Sequence, residues 1–399
     1  MFTPIVVVGG ALAFTLLLAR LGRERVTLTD GAGVRFSGFN ALRALAALGV
    51  VAGHTLATSP LDGLPRAMVG SMATGVALFF VISGFLLYRP FAASLSERSK
   101  VSIGRFIANR ALRILPLYVL VVVVLFFATT GHPAQSLMRL VRALSFTGGS
   151  EQDDLLPVAW SLDDEVVFYM LLPALYLALM AWPRPGQRLW LGAGAIAVLS
   201  IVSLVALAVT PNDQLITGGP LTKFHLFGFG MLLATVHARW PRFQISPKLL
   251  LSGAVIVATA LSISSTAYQM HLYIFNPVAG LAFFTLVGMV AFSGPTARLT
   301  RALSWRPLSH LGDVSYGIYL WHEPIHHVLY NMRLLTTAYI PGFLELAMCS
   351  IALATGTYYV VEKPALRIKN RWAASPSKIV SPRVAPASVN PAALPVPEI

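Results

Sequence analysis

The chain has 399 residues, 56% hydrophobic and only 12% charged, with a mean hydropathy of +0.71. Soluble domains carry about 25% charged residues, so this composition excludes an ordinary soluble enzyme and points to a polytopic membrane protein. The single cysteine, Cys349, excludes disulfides and cysteine metal sites within one chain, and the net charge of +14 is distributed as a membrane topology requires, not as a nucleic-acid surface.

The predicted elements follow from apolar runs of spanning length. The first, at about residues 4–20, is followed by the basic stretch "RLGRERV" and not preceded by one. A secretory signal has the reverse order, so a retained span is expected. Further runs lie at about 40–58, 68–88, 114–130, 160–182 and 189–210. The last five lie at about 219–238, 249–267, 276–293, 312–332 and 340–361. The expected fold class is all-α: a polytopic transmembrane helical bundle of 10 core helices plus an extra N-terminal span. Residues 1–35 form that span and a basic cytoplasmic linker, 36–367 the membrane domain, and 368–399 a disordered cytoplasmic tail.

If loop 21–39 is cytoplasmic, 25 of the 30 Lys and Arg residues fall on the cytoplasmic side. The exceptions are Arg66, Arg139, Arg142, Lys223 and Arg333. The positive-inside rule therefore selects this orientation, with the C-terminus in the cytoplasm of a multi-pass plasma or inner membrane protein. It also accounts for the pI of 10.3 without any nucleic-acid partner.

Ionisable residues inside spans cost about 2.5 kcal/mol or more at the bilayer centre, so each is a functional candidate. In "ALRALAALGVVAGHTLA" (41–57), Arg43 and His54 are eleven residues apart. Eleven helical residues turn about 1100° and rise about 16 Å, so both side chains share one face. "RFIANRALRILPLY" (105–118) adds Arg105, Arg110 and Arg113, the last two at i, i+3 on one face. Guanidinium groups bind phosphate bidentately, and this inner layer suits a phosphate-rich ligand. Topological anchoring is the alternative, and it suffices for Arg89, Arg98 and Lys100.

The outer layer holds His54, "AWSLDDEVVFY" (159–169) and "SYGIYLWHEPIHH" (315–327). In the second, the helix dipole favours carboxylates at a helix start, which suffices for Asp163, whereas Glu165 shares a face with Ser161 and Tyr169. In the third, Ser315, Tyr319 and His322 share a face, while His326 and His327 lie nearer the surface. A histidine paired with Asp164 or Glu165 would activate a hydroxyl by general base catalysis near neutral pH. Metal ligation is not expected, because the spacing of candidate ligands is wrong. A proton-coupled transporter would also place His and Glu in spans. It predicts broken helices in two repeated halves, and no internal repeat is evident.

The chain resembles the acyltransferase-3 family of multi-pass membrane O-acyltransferases. "FNALRALAALGVVAGH" is similar to the family's opening helix, and "GVALFFVISGFLLYRPF", with Ser83, to its second. Arg110 and Arg113 match its Arg-x-x-Arg, "WSLDDEVVFYMLLP" its Trp-Ser-Leu-x-x-Glu motif, and "LGDVSYGIYLWHEPI" and "VEKP" its closing helices. The resemblance covers about residues 36–367. It implies an acyl-CoA co-substrate bound from the cytoplasm, no permanently bound cofactor, and an acceptor hydroxyl on a sugar-containing molecule. By resemblance, His54 is catalytic, and Arg43, Arg110 and Arg113, with Arg105 nearby, serve the donor's phosphates. Glu165 or Asp164 would orient His54, and Ser83, Tyr319 and His322 would meet substrate or the developing oxyanion. Two features depart from the family's pattern: many members have paired glutamates where this chain has Glu165-Val166, and many lack the extra span in 1–35. No C-terminal hydrolase-like domain is expected in so short a tail. The acceptor expected is a cell-envelope glycan or glycolipid, with a glycosylated natural product such as a macrolide as the alternative.

Overall fold

The computed structural model describes residues 37–97, 100–128, 133–147, 155–209, 219–269, 275–293 and 298–374. The expected N-terminal span, its linker and the tail from 375 lie outside the described residues. The described residues are all-helical, as expected from the hydropathy pattern. We number the helices α1 (Ser37–Thr55), α2 (Gly63–Ser71), α3 (Gly75–Leu95), α4 (Ile103–Ala128) and α5 (Pro133–Ser145). Next come α6 (Trp160–Met180), α7 (Pro185–Val209), α8 (Phe224–Arg239), α9 (Pro247–Gln269) and α10 (Phe275–Phe292). The set closes with α11 (Arg298–Leu303), α12 (Arg306–Asp313), α13 (Ser315–Asn331), α14 (Tyr339–Thr357) and α15 (Lys363–Ala374).

Helices cover most of the described residues in each of the ten core apolar runs, although run 68–88 spans α2 and α3 and run 312–332 reaches from α12 into α13. Among the described residues, four helical stretches are long and apolar enough by themselves to cross a membrane: Gly63–Leu95, Ile103–Ala128, Pro185–Val209 and Tyr339–Ile368. Helix α6 has a comparable apolar length but carries Asp163, Asp164 and Glu165 in its first two turns. Helix α15 continues through Ala374, past the boundary expected at 367. Prolines sit inside α3, α4, α6 and α13. A bundle tolerates them because neighbouring helices can re-satisfy the freed carbonyls. Helices α13 and α4 are also joined directly, by Tyr316 donating to the Ile114 carbonyl at 3.0 Å.

Helix α1 is the axis of the bundle, in contact with α3, α12, α13 and α14. Its alanines make this possible: Ala41, Ala44 and Ala47 are fully buried, and small residues let helix backbones approach where lipid supplies no hydrophobic drive. Helices α3 and α8 pack most closely of all. A Cβ at Gly84 would collide with the Phe227 carbonyl oxygen, and one at Gly230 with the Val81 carbonyl oxygen. Only glycine permits that crossing. Phe80, Phe168 and Phe227 stack beside it, with ring centroids 4.4 and 4.1 Å apart. On the periphery, α7 exposes Val198, Ile201, Val202 and Val205, and α9 exposes Val255 and Ile256. These are surfaces for lipid tails.

Candidate active site

The polar interior divides into two layers along α1. In the inner layer, Arg43 reaches from α1 to the Ser315 hydroxyl at 3.4 Å and lies over the Phe79 ring at 5.8 Å. It interacts electrostatically with Arg113, Glu165, Tyr169 and Arg110. Tyr169 of α6 interacts with both Arg110 and Glu165, and Ser83 donates to Glu165 at 2.8 Å. Arg113 is buried and lies 3.5 Å from Glu362. Glu362 comes from a π-helical turn, Tyr358–Glu362, between α14 and α15; such wide turns recur at functional sites.

Three arginines and two carboxylates thus share one buried cluster. Several of its polar atoms have no hydrogen-bond partner among the described residues: Arg110 Nε, Arg113 Nη2 and both oxygens of Glu362, whose contact with Arg113 is an ion pair without a hydrogen bond. Unsatisfied buried groups of this kind cost about 1–3 kcal/mol each. A bound anion with hydrogen-bond donors of its own would satisfy them. Arg105 is not part of the cluster: it is exposed at the start of α4.

In the outer layer, His54 lies edge-to-face against His322, ring centroids 4.9 Å apart. His322 is fully buried, and His326 bonds Thr58 at 3.0 Å just beyond. No carboxylate contacts His54 among the described residues. Asp164 and Glu165, one residue and about 100° apart on α6, face different partners. Asp164 accepts from Lys223 at 2.8 Å, and Lys223 lies 4.2 Å over the Trp160 ring. Glu165 turns inward to Ser83 and the arginines. The histidine–carboxylate pair anticipated from sequence is therefore replaced here by a histidine–histidine pair.

The two groups anticipated at the oxyanion also have committed protons. Tyr319 donates its hydroxyl hydrogen to the Val158 carbonyl at 2.7 Å, which makes Ser161 the donor in their 2.9 Å contact. His322 Nδ1 lies 2.6 Å from the Tyr319 carbonyl, so its hydrogen sits on that nitrogen. In this arrangement neither group has a proton for an oxyanion. The sequence pattern assigns Glu362 and Lys223 no role in the site, and it places Tyr169 only on a shared face with Glu165. Lys223 had a legible signal as a basic residue on the outer side of the positive-inside count.

A family described as an acyltransferase domain matches residues 36–359. The chain belongs to the acyltransferase-3 family. It is 28% identical over 336 residues to the peptidoglycan O-acetyltransferase OatA of Listeria monocytogenes, covering 77% of this chain and 50% of that one. It is 27% identical over 320 residues to the O-acetyltransferase OatA of Staphylococcus aureus, covering 72% of this chain and 50% of the relative. The chain spans about half the length of these curated relatives. No solved structure matches it.

Proposed function

We propose that this acyltransferase-3 chain is a membrane O-acyltransferase that moves an acyl group from cytoplasmic acyl-CoA to a hydroxyl of a cell-envelope glycan. The observation that carries the reading is the division of one buried helix face into an arginine layer and a histidine layer, inside a domain matched to the family. The names of the relatives support a glycan acceptor, with peptidoglycan the foremost candidate. In this reading the 10 core helices all cross the bilayer. The basic turns at Arg184 and Arg188, at Arg239 and Arg242, and at Arg298 and Arg301 face the cytoplasm, as does the C-terminus.

Arg43, Arg110 and Arg113 hold the donor's phosphates, and the pantetheine arm runs outward beside α1. From Arg43 to His54 the helix rises about 16 Å, a length that a pantetheine chain spans. His54 takes the proton from the acceptor hydroxyl as its oxygen attacks the thioester carbonyl. The new C–O bond forms, the C–S bond breaks, and the imidazolium returns the proton to the departing thiolate. An ester and free CoA thiol result.

The test is mass spectrometry of envelope glycans from cells with the wild-type chain, with His54→Ala, and without the gene. The reading expects an acyl mass on glycan only with the wild type. An unchanged acyl mass in all three overturns it.

A further inference from the structure

The sequence anticipated a carboxylate to orient His54, but both candidates are engaged elsewhere. The structure puts His322 in that place, and its surroundings determine what it can do. Its Nδ1 faces the carbonyl oxygen of Tyr319, one turn earlier on α13, at 2.6 Å. A carbonyl only accepts, so Nδ1 carries the hydrogen. The opposite nitrogen, Nε2, is buried and has no partner among the described residues. The rings packed against His322 are His54 from α1, at 4.9 Å, and Tyr319 from its own helix, at 5.7 Å. His326 is the other charged or titratable group it feels. A doubly protonated His322 would bury a second N–H without an acceptor beside another histidine, so the ring is neutral with a bare lone pair on Nε2.

We propose that His322 is the positioning residue for His54: its Nε2 accepts the hydrogen of the His54 nitrogen turned away from the substrate. This proposal rests on the acyltransferase reading of the site and deepens it. That hydrogen bond fixes the His54 tautomer, leaving its other nitrogen bare toward the acceptor hydroxyl. When His54 takes the acceptor's proton, the His322 lone pair stabilises the imidazolium. His322 itself neither gains nor loses a proton. The role is the one a carboxylate plays in a hydrolase triad, here filled by a neutral ring, which avoids burying another anion among the outer helices. The 4.9 Å edge-to-face contact is the open form of this pair, and such bonds commonly close only when substrate binds.

The experiment uses the full chain in lipid nanodiscs with acetyl-CoA and a peptidoglycan-derived oligosaccharide, comparing wild type, His54→Ala, His322→Ala and His322→Gln. The Gln side chain offers an acceptor oxygen near the position of Nε2. Turnover should fall on the order of 10²-fold in His322→Ala, with the donor KM unchanged, and recover about tenfold in His322→Gln. Full turnover in His322→Ala overturns the proposal, as does a folded His322→Gln no better than His322→Ala. A second arm is independent of turnover: 15N-histidine NMR of the same preparations. It should show His322 protonated at Nδ1 and bare at Nε2, and the His54 ring signals should move in His322→Ala. A bare Nδ1, or unmoved His54 signals, also overturns it. If the wild type transfers nothing to the oligosaccharide, the acceptor reading fails, and the NMR arm still decides the tautomer and the pairing.

Discussion

The inner layer around Arg43 and the outer layer around His54 hang on the same helix, yet they handle polarity in opposite ways. Inside, Arg43, Arg110 and Arg113 share a buried space with Glu165 and Glu362, and several of their polar atoms have no hydrogen-bond partner among the described residues. Outside, the central groups are imidazoles and hydroxyls, and Asp164 is paired with Lys223. In the proposed reading a phosphate-bearing donor needs charge that is not already neutralised, and the inner layer keeps some in reserve. A proton-transfer site needs groups that change charge easily, and a surplus of fixed cations there would oppose an imidazolium. The separation along α1 lets one bundle meet both requirements.

Five substitutions break or sharpen this contrast. The largest effect is expected for His54→Ala: loss of acyl transfer by about 10²–10⁴-fold, with acyl-CoA affinity retained in a binding assay. Retained transfer would make the outer layer structural. Arg113→Ala should act on the inner layer twice, weakening acyl-CoA binding and destabilising the fold by about 3–5 kcal/mol, because it leaves Glu362 buried without its partner. Adding Glu362→Gln to it should restore stability in thermal unfolding but not donor affinity. If the second change restores both, the arginine is only a structural ion-pair partner.

Gly84→Ala should cost about 1–3 kcal/mol by overpacking, since the new Cβ meets backbone at Phe227, and should lower the unfolding temperature without altering donor KM. The smallest effect belongs to Tyr118→Phe, which removes the 2.8 Å bond to the Ala143 carbonyl of α5. About 1 kcal/mol of stability and no kinetic change are expected. A kinetic change there would extend the site toward α5.

Much of this was legible in the sequence because period and hydropathy are local. The helix positions follow from apolar runs, and the shared face of Arg43 and His54 follows from an eleven-residue spacing. Partnerships across helices are not local. Nothing in "WSLDDEVVFY" announces that Asp164 meets Lys223, 59 residues on, while its neighbour Glu165 meets Ser83, 82 residues back. Those pairings depend on how far each helix slides along its neighbour, which the hydrophobic pattern constrains only weakly. The same limit hid Glu362: "VEKP" was visible, but the π-helical turn that points its carboxylate at Arg113 was not.

The glycine crossing of α3 and α8 has a consequence for how the bundle moves. Ser83, the partner of Glu165, immediately precedes Gly84, and Lys223, the partner of Asp164, sits at the threshold of α8. With backbone locked against backbone at Gly84 and Gly230, these two partners are fixed points of a single strut. Helix α6 is pinned to it at both carboxylates. In the proposed reading, any opening of the bundle to admit a glycan acceptor falls to helices other than α3, α6 and α8, which the close crossing and the two carboxylate contacts hold together.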